Sequence, residues 1–136
     1  MPSTKEQRQK YAASHKGRAT KMWHNAKRRS QNKDCEISIT VDWITEKLLK
    51  GICEYTGLPF DLNPVHDFSS NPYAPSLDRI NPKIKNYSPE NTRVVLTCVN
   101  KTLNEYGENT ILPILKAMVS VIENKACHLQ TNKNLY

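Results

Sequence analysis

Two residues in the middle of the chain, Asp78 and Asn100, carry oxygen donors that suit a hard cation, and Asn91 lies between them. Asp78 sits in "SLDRI" (76–80), which reads as a short strand. Residues 81–91 are a long loop rich in Pro and Asn that Asn91 closes. "TRVVL" (92–96) reads as a second strand, and Asn100 faces out from the helix that follows. A carboxylate oxygen from Asp78 and an amide oxygen from Asn100 would hold one divalent ion, leaving positions for water and a phosphate. An ion held in that way polarises a scissile phosphate and stabilises the leaving 3′ oxygen. Asn91 is too far along the loop to be assumed a ligand. Its side chain suits hydrogen bonds to the loop backbone that hold the two strand ends together. Asp and Asn also suit ordinary turns, and composition and periodicity do not choose between the two roles.

The elements that must position these residues follow from the pattern on either side. Residues 1–10 are polar and expected to fray. "SHKGRATKMWHNAKRRSQNK" (14–33) places Ala19, Met22, Trp23 and Ala26 on one face and cations on the others, an amphipathic helix. "CEISI" (35–39) is a short extended piece. Thr40 has the character of an N-cap, with Ile39 placed to staple onto Ile44 and Gly51 to end the helix, so 41–50 is helical, with Trp43 a core residue. "ICEYTGLPFDL" (52–62) reads as a strand running into a turn at Gly57, and 63–75 as a surface loop. Residues 97–107 have helical spacing that stops at Gly107. Residues 110–126 carry a strong apolar stripe, a packing face that could equally serve a dimer, with Pro113 in the first turn.

Charge is concentrated at one end. Residues 1–33 hold ten Lys/Arg against one acid and the remainder ten against twelve, so +9 and −2 make up the net +7. A basic arm neutralises phosphates and releases counterions, which favours nucleic acid, although a solvated basic helix has the same composition. At 136 residues one domain is expected. No run of about 18 apolar residues offers a membrane span, and the first ten residues are too polar for a secretory signal. The four cysteines are scattered without C-x-x-C, which fits free thiols in a reducing cytoplasm and argues against a structural zinc site.

The stretch 51–107, with its "SLDRI … NY … ENTRVV … N" blocks in order, resembles the HNH endonucleases of the ββα-metal type, in particular the small stand-alone forms often encoded by phages. With "GRATKMWHNAKRR" and "VDWITEKLLKGICEYTGLPF" the resemblance covers roughly residues 16 to 107. It implies an α+β fold: a ββα-metal core of a short antiparallel hairpin plus helix over 51–107, flanked by N-terminal helices over 1–50 in the same compact unit and a C-terminal packing helix over 108–136. Carried over by position, Asp78 and Asn100 match the family's metal ligands, Asn91 the residue that braces the loop, and Tyr87 the loop's aromatic position. Asn86 stands where a glycine usually precedes that aromatic residue, and asparagine tolerates positive φ best among the other residues. Arg79 stands where the family at large has a histidine that acts as general base. Arginine stays protonated and cannot take that role, but it can grip a nonbridging phosphate oxygen and stabilise the transition state. The proton acceptor is left open among solvent, a substrate phosphate and a metal-bound hydroxide.

The resemblance therefore implies a Mg²⁺- or Mn²⁺-dependent DNA endonuclease that leaves a 5′-phosphate and a 3′-hydroxyl, with Arg79 and Asn91 in its catalytic set, to which proximity in sequence adds His66 as a candidate base. His66 is the histidine nearest to the hairpin, and a solvated loop histidine is the bland reading of it. His15 and His24 fit phosphate contacts or plain surface positions, His128 has no special role, and Glu54 and Glu105 read as surface or salt-bridging residues. Arg18, Lys21, Lys27, Arg28, Arg29 and Arg93 would contact DNA, Arg93 being equally suited to an ion pair with an acid. The competing reading is a DNA-binding protein that keeps the scaffold and lost activity with the histidine. DNA is the expected partner, no membrane is expected, and a homodimer through the C-terminal helix is possible.

Overall fold

Caps and glycines divide the N-terminal half of the chain. The computed structural model describes residues 4–31, 35–63 and 71–133, the side chains of 11–13 and 128–133 excepted. A capping box opens α1 (Lys5–Ala13): Thr4 Oγ1 accepts from Gln7 N and Gln7 Oε1 accepts from Thr4 N, both at 3.2 Å. The expected fraying of residues 1–10 is therefore replaced, from Lys5 onward, by a helix whose start is written as Thr4–Gln7. Ser14 caps α2 (His15–Ser30) through Gly17 N at 3.0 Å. Thr40 caps α3 (Val41–Lys50) through Trp43 N at 3.0 Å, and Gly51 ends it at φ 74°. α2 packs across α3, and Trp23 Nε1 donates to the Ile39 carbonyl at 2.9 Å between them.

The segment expected to be a strand over 52–62 is mostly a turn. Only Ile52 and Pro59 bridge. Between them Gly57 N donates to Cys53 O and Cys53 N to Leu58 O, both at 2.8 Å, using the backbone groups that a ladder would need. Cys53 is buried, and its Sγ accepts from Thr56 N at 3.4 Å and Leu96 N at 3.3 Å. Burial pushes this thiol up, but the hydrogen bonds from Thr56, Leu96 and Tyr55 outweigh it and the net direction is down.

β1 (Pro75–Arg79) and β2 (Thr92–Leu96) form an antiparallel hairpin in which Asp78 lies opposite Arg93 and Ser76 opposite Val95. α4 (Thr97–Leu103) follows directly, so strand, strand and helix succeed one another without a break after the loop. Leu77, Val94, Val95 and Leu96 from the hairpin join Ile44 and Leu48 of α3 and Ala19 and Ala26 of α2 in one buried cluster with Cys53, Phe60 and Tyr87. The extended piece at 35–39 meets the hairpin loop through an Ile37–Tyr87 bridge. The fold is thus α+β with a two-stranded hairpin.

The chain divides into two compact units, residues 1–101 and 102–136, with the boundary inside α4. The second unit holds α5 (Glu108–Lys133), which Gly107 precedes at φ 80°. Because α5 begins at Glu108, Pro113 lies in its second turn and not its first, where its ring denies the Asn109 carbonyl a partner. Ile111 is buried, but Leu112, Met118 and Ile122 are 51%, 52% and 60% exposed, so most of the expected packing stripe is uncovered. Among the described residues no helix is long and apolar enough to cross a membrane.

The two ends of α3 separate backbone cost from packing cost. A Cβ at Gly51 would meet only Leu48 O at 3.9 Å, so Gly51→Ala is expected to lose about 1–2 kcal/mol through left-handed backbone strain alone. Leu48→Ala, at a fully buried position, is expected to lose about 2–5 kcal/mol. Urea denaturation of both variants checks the order, and equal losses would contradict this account of the helix end.

Candidate functional site

The loop between the strands is organised by Asn91. Its Oδ1 accepts from Asn81 N at 2.9 Å, and its Nδ2 lies within hydrogen-bond reach of the carbonyls of Ile84 at 3.0 Å, Asn86 at 3.2 Å and Asn81 at 3.3 Å. Its own backbone N–H is met by Ser88 Oγ at 3.2 Å, and its carbonyl accepts from Ile80 N at 2.8 Å. One buried amide thus ties both ends of the 81–91 loop to its middle. These are side-chain hydrogen bonds to the loop backbone, of the kind the sequence suggested for Asn91. Asn86 is not at positive φ. Among the described residues Asn104 is the one non-glycine that is, at 41°. Asn86 Oδ1 instead accepts from Glu36 N at 2.9 Å and ties the loop to the 35–39 segment.

Side chains alternate along the hairpin, so Ser76, Asp78, Arg93 and Val95 share one face and Leu77, Arg79, Thr92 and Val94 the other. Asn100, on the first turn of α4, docks on the first of these faces: its Nδ2 reaches Ser76 Oγ at 2.8 Å and the Leu77 carbonyl at 3.1 Å. Both contacts use the amide nitrogen. Its Oδ1 has no hydrogen bond among the described residues, and the residues its nitrogen meets are the two that precede Asp78 on β1. Asp78 is 7% exposed, and its Oδ2 accepts from Arg93 Nε at 2.7 Å. The guanidinium carbon of Arg93 lies 4.8 Å from the ring centre of Tyr55, which projects from the turn that Cys53 organises.

A single carboxylate with a single amide oxygen is a sparse donor set. It fits a hard divalent ion that keeps several waters and takes its remaining ligands from substrate phosphate. It does not fit a site that must be filled by protein alone. Among the described residues no group of three His, Cys, Asp or Glu is placed to hold a metal.

The remaining expected residues fall in several places. Arg79 is on the opposite face of β1 from Asp78, its guanidinium carbon 5.6 Å from the Tyr87 ring centre and its Nη1 3.4 Å from the Lys85 carbonyl. His66 lies outside the described residues. Glu54 pairs with Lys47 at 2.9 Å and so takes the salt-bridging role. Arg93, expected either on phosphate or on an acid, is on the acid.

In α2, Lys21, Lys27, Arg28 and Arg29 are exposed, and at 3.6 residues per turn the first three share with Lys16 an arc of roughly 140°. Lys27 Nζ stands 5.0 Å over the Trp23 ring, and Arg28 Nη2 donates to Asn25 Oδ1 at 3.0 Å. Arg18 departs from the expected DNA-contacting set. It is 3% exposed, its Nη2 donates to the Leu62 carbonyl, and burial lowers its pKa against an opposing pull from Asp61. It still remains a cation, but one spent on joining α2 to the 61–63 segment. Sequence reasoning also missed Ser76 and Tyr55. Only the strand parity would have pointed to Ser76, and nothing local pointed to Tyr55.

Asn91→Ala is expected to destabilise the protein by about 1–3 kcal/mol, because it leaves buried loop groups without partners. Asn91→Asp, although nearly isosteric, is expected to be at least as harmful at neutral pH, since a carboxylate replaces a donor among three carbonyls. Chemical denaturation measures both, and a neutral Asn91→Asp would remove Asn91 as the brace. No family model, no curated protein and no solved structure matches the chain.

Proposed function

We propose that the chain is a DNA endonuclease of the HNH type, with a ββα-metal core and one Mg²⁺ or Mn²⁺ held by Asp78 and Asn100. The observation that carries this reading is the docking of Asn100. Its amide nitrogen is spent on Ser76 and the Leu77 carbonyl, the two residues before Asp78 on β1, which leaves the amide oxygen without a hydrogen bond among the described residues. A nearly buried carboxylate, with an unspent amide oxygen held against the same strand, supplies donors that suit a hard cation. When bound, such an ion polarises the scissile phosphate and stabilises the leaving 3′ oxygen.

The chain's own residues do the rest. Asn91 keeps the strand ends in register, so that Asp78 stays where Asn100 meets the strand. Arg79 serves as a cation for the phosphate backbone, its planar guanidinium offering donors and no acceptor. Lys21, Lys27, Arg28 and Arg29 supply sequence-independent affinity through phosphate contacts. The uncovered apolar side chains of α5 support a second copy of the chain as partner, which would bring two cutting sites to one duplex.

One observation favours the alternative of a DNA-binding protein without activity. The Asp78–Arg93 pair satisfies the carboxylate without any metal. Plasmid cleavage separates the two. The wild type is expected to convert supercoiled plasmid to nicked or linear DNA with Mg²⁺ or Mn²⁺, and EDTA or Asp78→Ala is expected to abolish the conversion. Intact plasmid with every metal, beside undiminished binding, would leave only the DNA-binding reading. Arg79→Ala is expected to lower the cleavage rate while leaving metal dependence in place.

The basic helix makes a separate claim. Lys27→Ala and Arg28→Ala are each expected to reduce the slope of log K against log salt by about 1, uniformly across DNA sequences. Arg18→Ala is expected to lower thermal stability and leave that slope unchanged, because Arg18 faces the protein interior. Fluorescence anisotropy over a salt series, beside a melting curve, checks both.

A further inference from the structure

Arg93 is the cation that Asp78 holds, and the way it is held suggests more than a static pair. Its contact is through Nε alone, to one oxygen of the carboxylate, at 2.7 Å. A two-pronged pairing through both ends of the guanidinium would be stronger and more fixed. The side chain is largely buried, at 19% exposure, against 9% for Asp78, so water screens the pair little. On its other side the guanidinium has a second hold, the Tyr55 ring at 4.8 Å, which is retained when a carboxylate is not. Tyr55 rides on a turn fixed by Cys53 and by the Glu54 N–H to Val94 carbonyl bond at 3.0 Å, so the ring and β2 keep their spacing.

We propose that Asp78 exchanges one cation for another: Arg93 occupies it in the metal-free protein, and a divalent ion displaces the guanidinium, which then takes a phosphate of the DNA. This inference rests on the metal-site reading above and goes beyond it, because it assigns Arg93 a positioning role that links two ligands. A divalent ion on Asp78 and a guanidinium against the same carboxylate repel each other. Arg93 is therefore driven outward by the metal, and the nearest new anion is the phosphate that the metal itself recruits. Each ligand removes an obstacle to the other: the metal frees Arg93 for phosphate, and phosphate keeps Arg93 off Asp78. Metal and DNA must then bind with positive coupling, and the coupling is the same whichever binds first.

The test reads Mn²⁺ affinity from the electron paramagnetic resonance signal of free Mn²⁺, with and without a phosphorothioate duplex that resists cutting. In the wild type the duplex is expected to tighten Mn²⁺ binding by about tenfold, within the usual range of coupling. Arg93→Gln is expected to bind Mn²⁺ several-fold more tightly than wild type in the absence of DNA and to lose most of the tightening by the duplex. Asp78→Asn is expected to lose Mn²⁺ binding.

If Mn²⁺ binding depends on Asp78 but Arg93→Gln binds no more tightly, or keeps the full coupling, the exchange is wrong and the metal site stands. If the wild type binds no Mn²⁺, or Asp78→Asn binds it equally well, the metal site itself is wrong and the exchange falls with it. Wild-type coupling requires no variant to fold, and its absence alone overturns the exchange.

Discussion

The hydrogen bonds of a single side-chain amide, that of Asn91, set the geometry on which everything else in the hairpin depends. A twelve-residue connection between two five-residue strands is long for a hairpin, and closing it costs conformational entropy that such short strands recover poorly. Asn91 reduces that freedom by spending its acceptor on Asn81 N and its donors on the Ile84, Asn86 and Asn81 carbonyls. The loop backbone groups it meets would otherwise need water or each other. Because Asn91 immediately precedes β2 and its carbonyl accepts from Ile80, the same residue fixes the register in which Asp78 faces Arg93. A one-residue slip would turn Asp78 to the other face and away from Asn100.

That register places an acid where solvent barely reaches it. A nearly buried carboxylate needs compensating charge, and Arg93 supplies it. Loss of one partner from a buried pair is costly, typically about 3–5 kcal/mol, because the other charge is left in place. The fold therefore stores at Asp78 a strong demand for a cation without determining which cation meets it. Asn100 adds the asymmetry. Its donors hold it to β1, and its acceptor oxygen has no hydrogen bond among the described residues. The long-range charge lies on other elements. Lys21, Lys27, Arg28 and Arg29 sit on a helix that packs on α3, so the exposed positive charge and the buried Asp78–Arg93 pair lie on separate elements of one core.

Local rules accounted for much of this architecture. Thr40 and Gly51 bound α3 because a capping hydroxyl and a left-handed glycine act within one turn of themselves. "TRVVL" forms β2 over its whole length because β-branched residues suit a strand covered on both faces, as Val94 and Val95 are. The bracing role of Asn91 was legible because a loop of that length needs an internal partner. Other assignments failed where two distant segments decide the outcome. The 52–62 segment has strand composition, yet Cys53 accepts from Leu96 N across 43 residues of sequence and holds a turn there instead. Arg18 looks like its cationic neighbours, and only its placement under the 61–63 segment buries it. Thr4–Gln7 is the opposite case, a local capping signal set among residues so polar that composition points to fraying.

The limits of α3, the two strands of the hairpin and the concentration of positive charge toward the N-terminus were legible in the residues alone. Each of these follows from side-chain period, capping or composition, which act over a few residues. Tertiary structure alone decided which of those residues meet. It put Asn100 against Ser76 and Leu77 of β1, Arg93 on Asp78 and under Tyr55, and Arg79 on the far face of the same strand. The reason is that strand parity and helix docking convert sequence neighbours into opposite faces and distant residues into partners. Asp78 and Arg79 are adjacent in the chain and separated by the sheet, whereas Asp78 and Arg93 are fifteen residues apart and share a proton donor and acceptor at 2.7 Å.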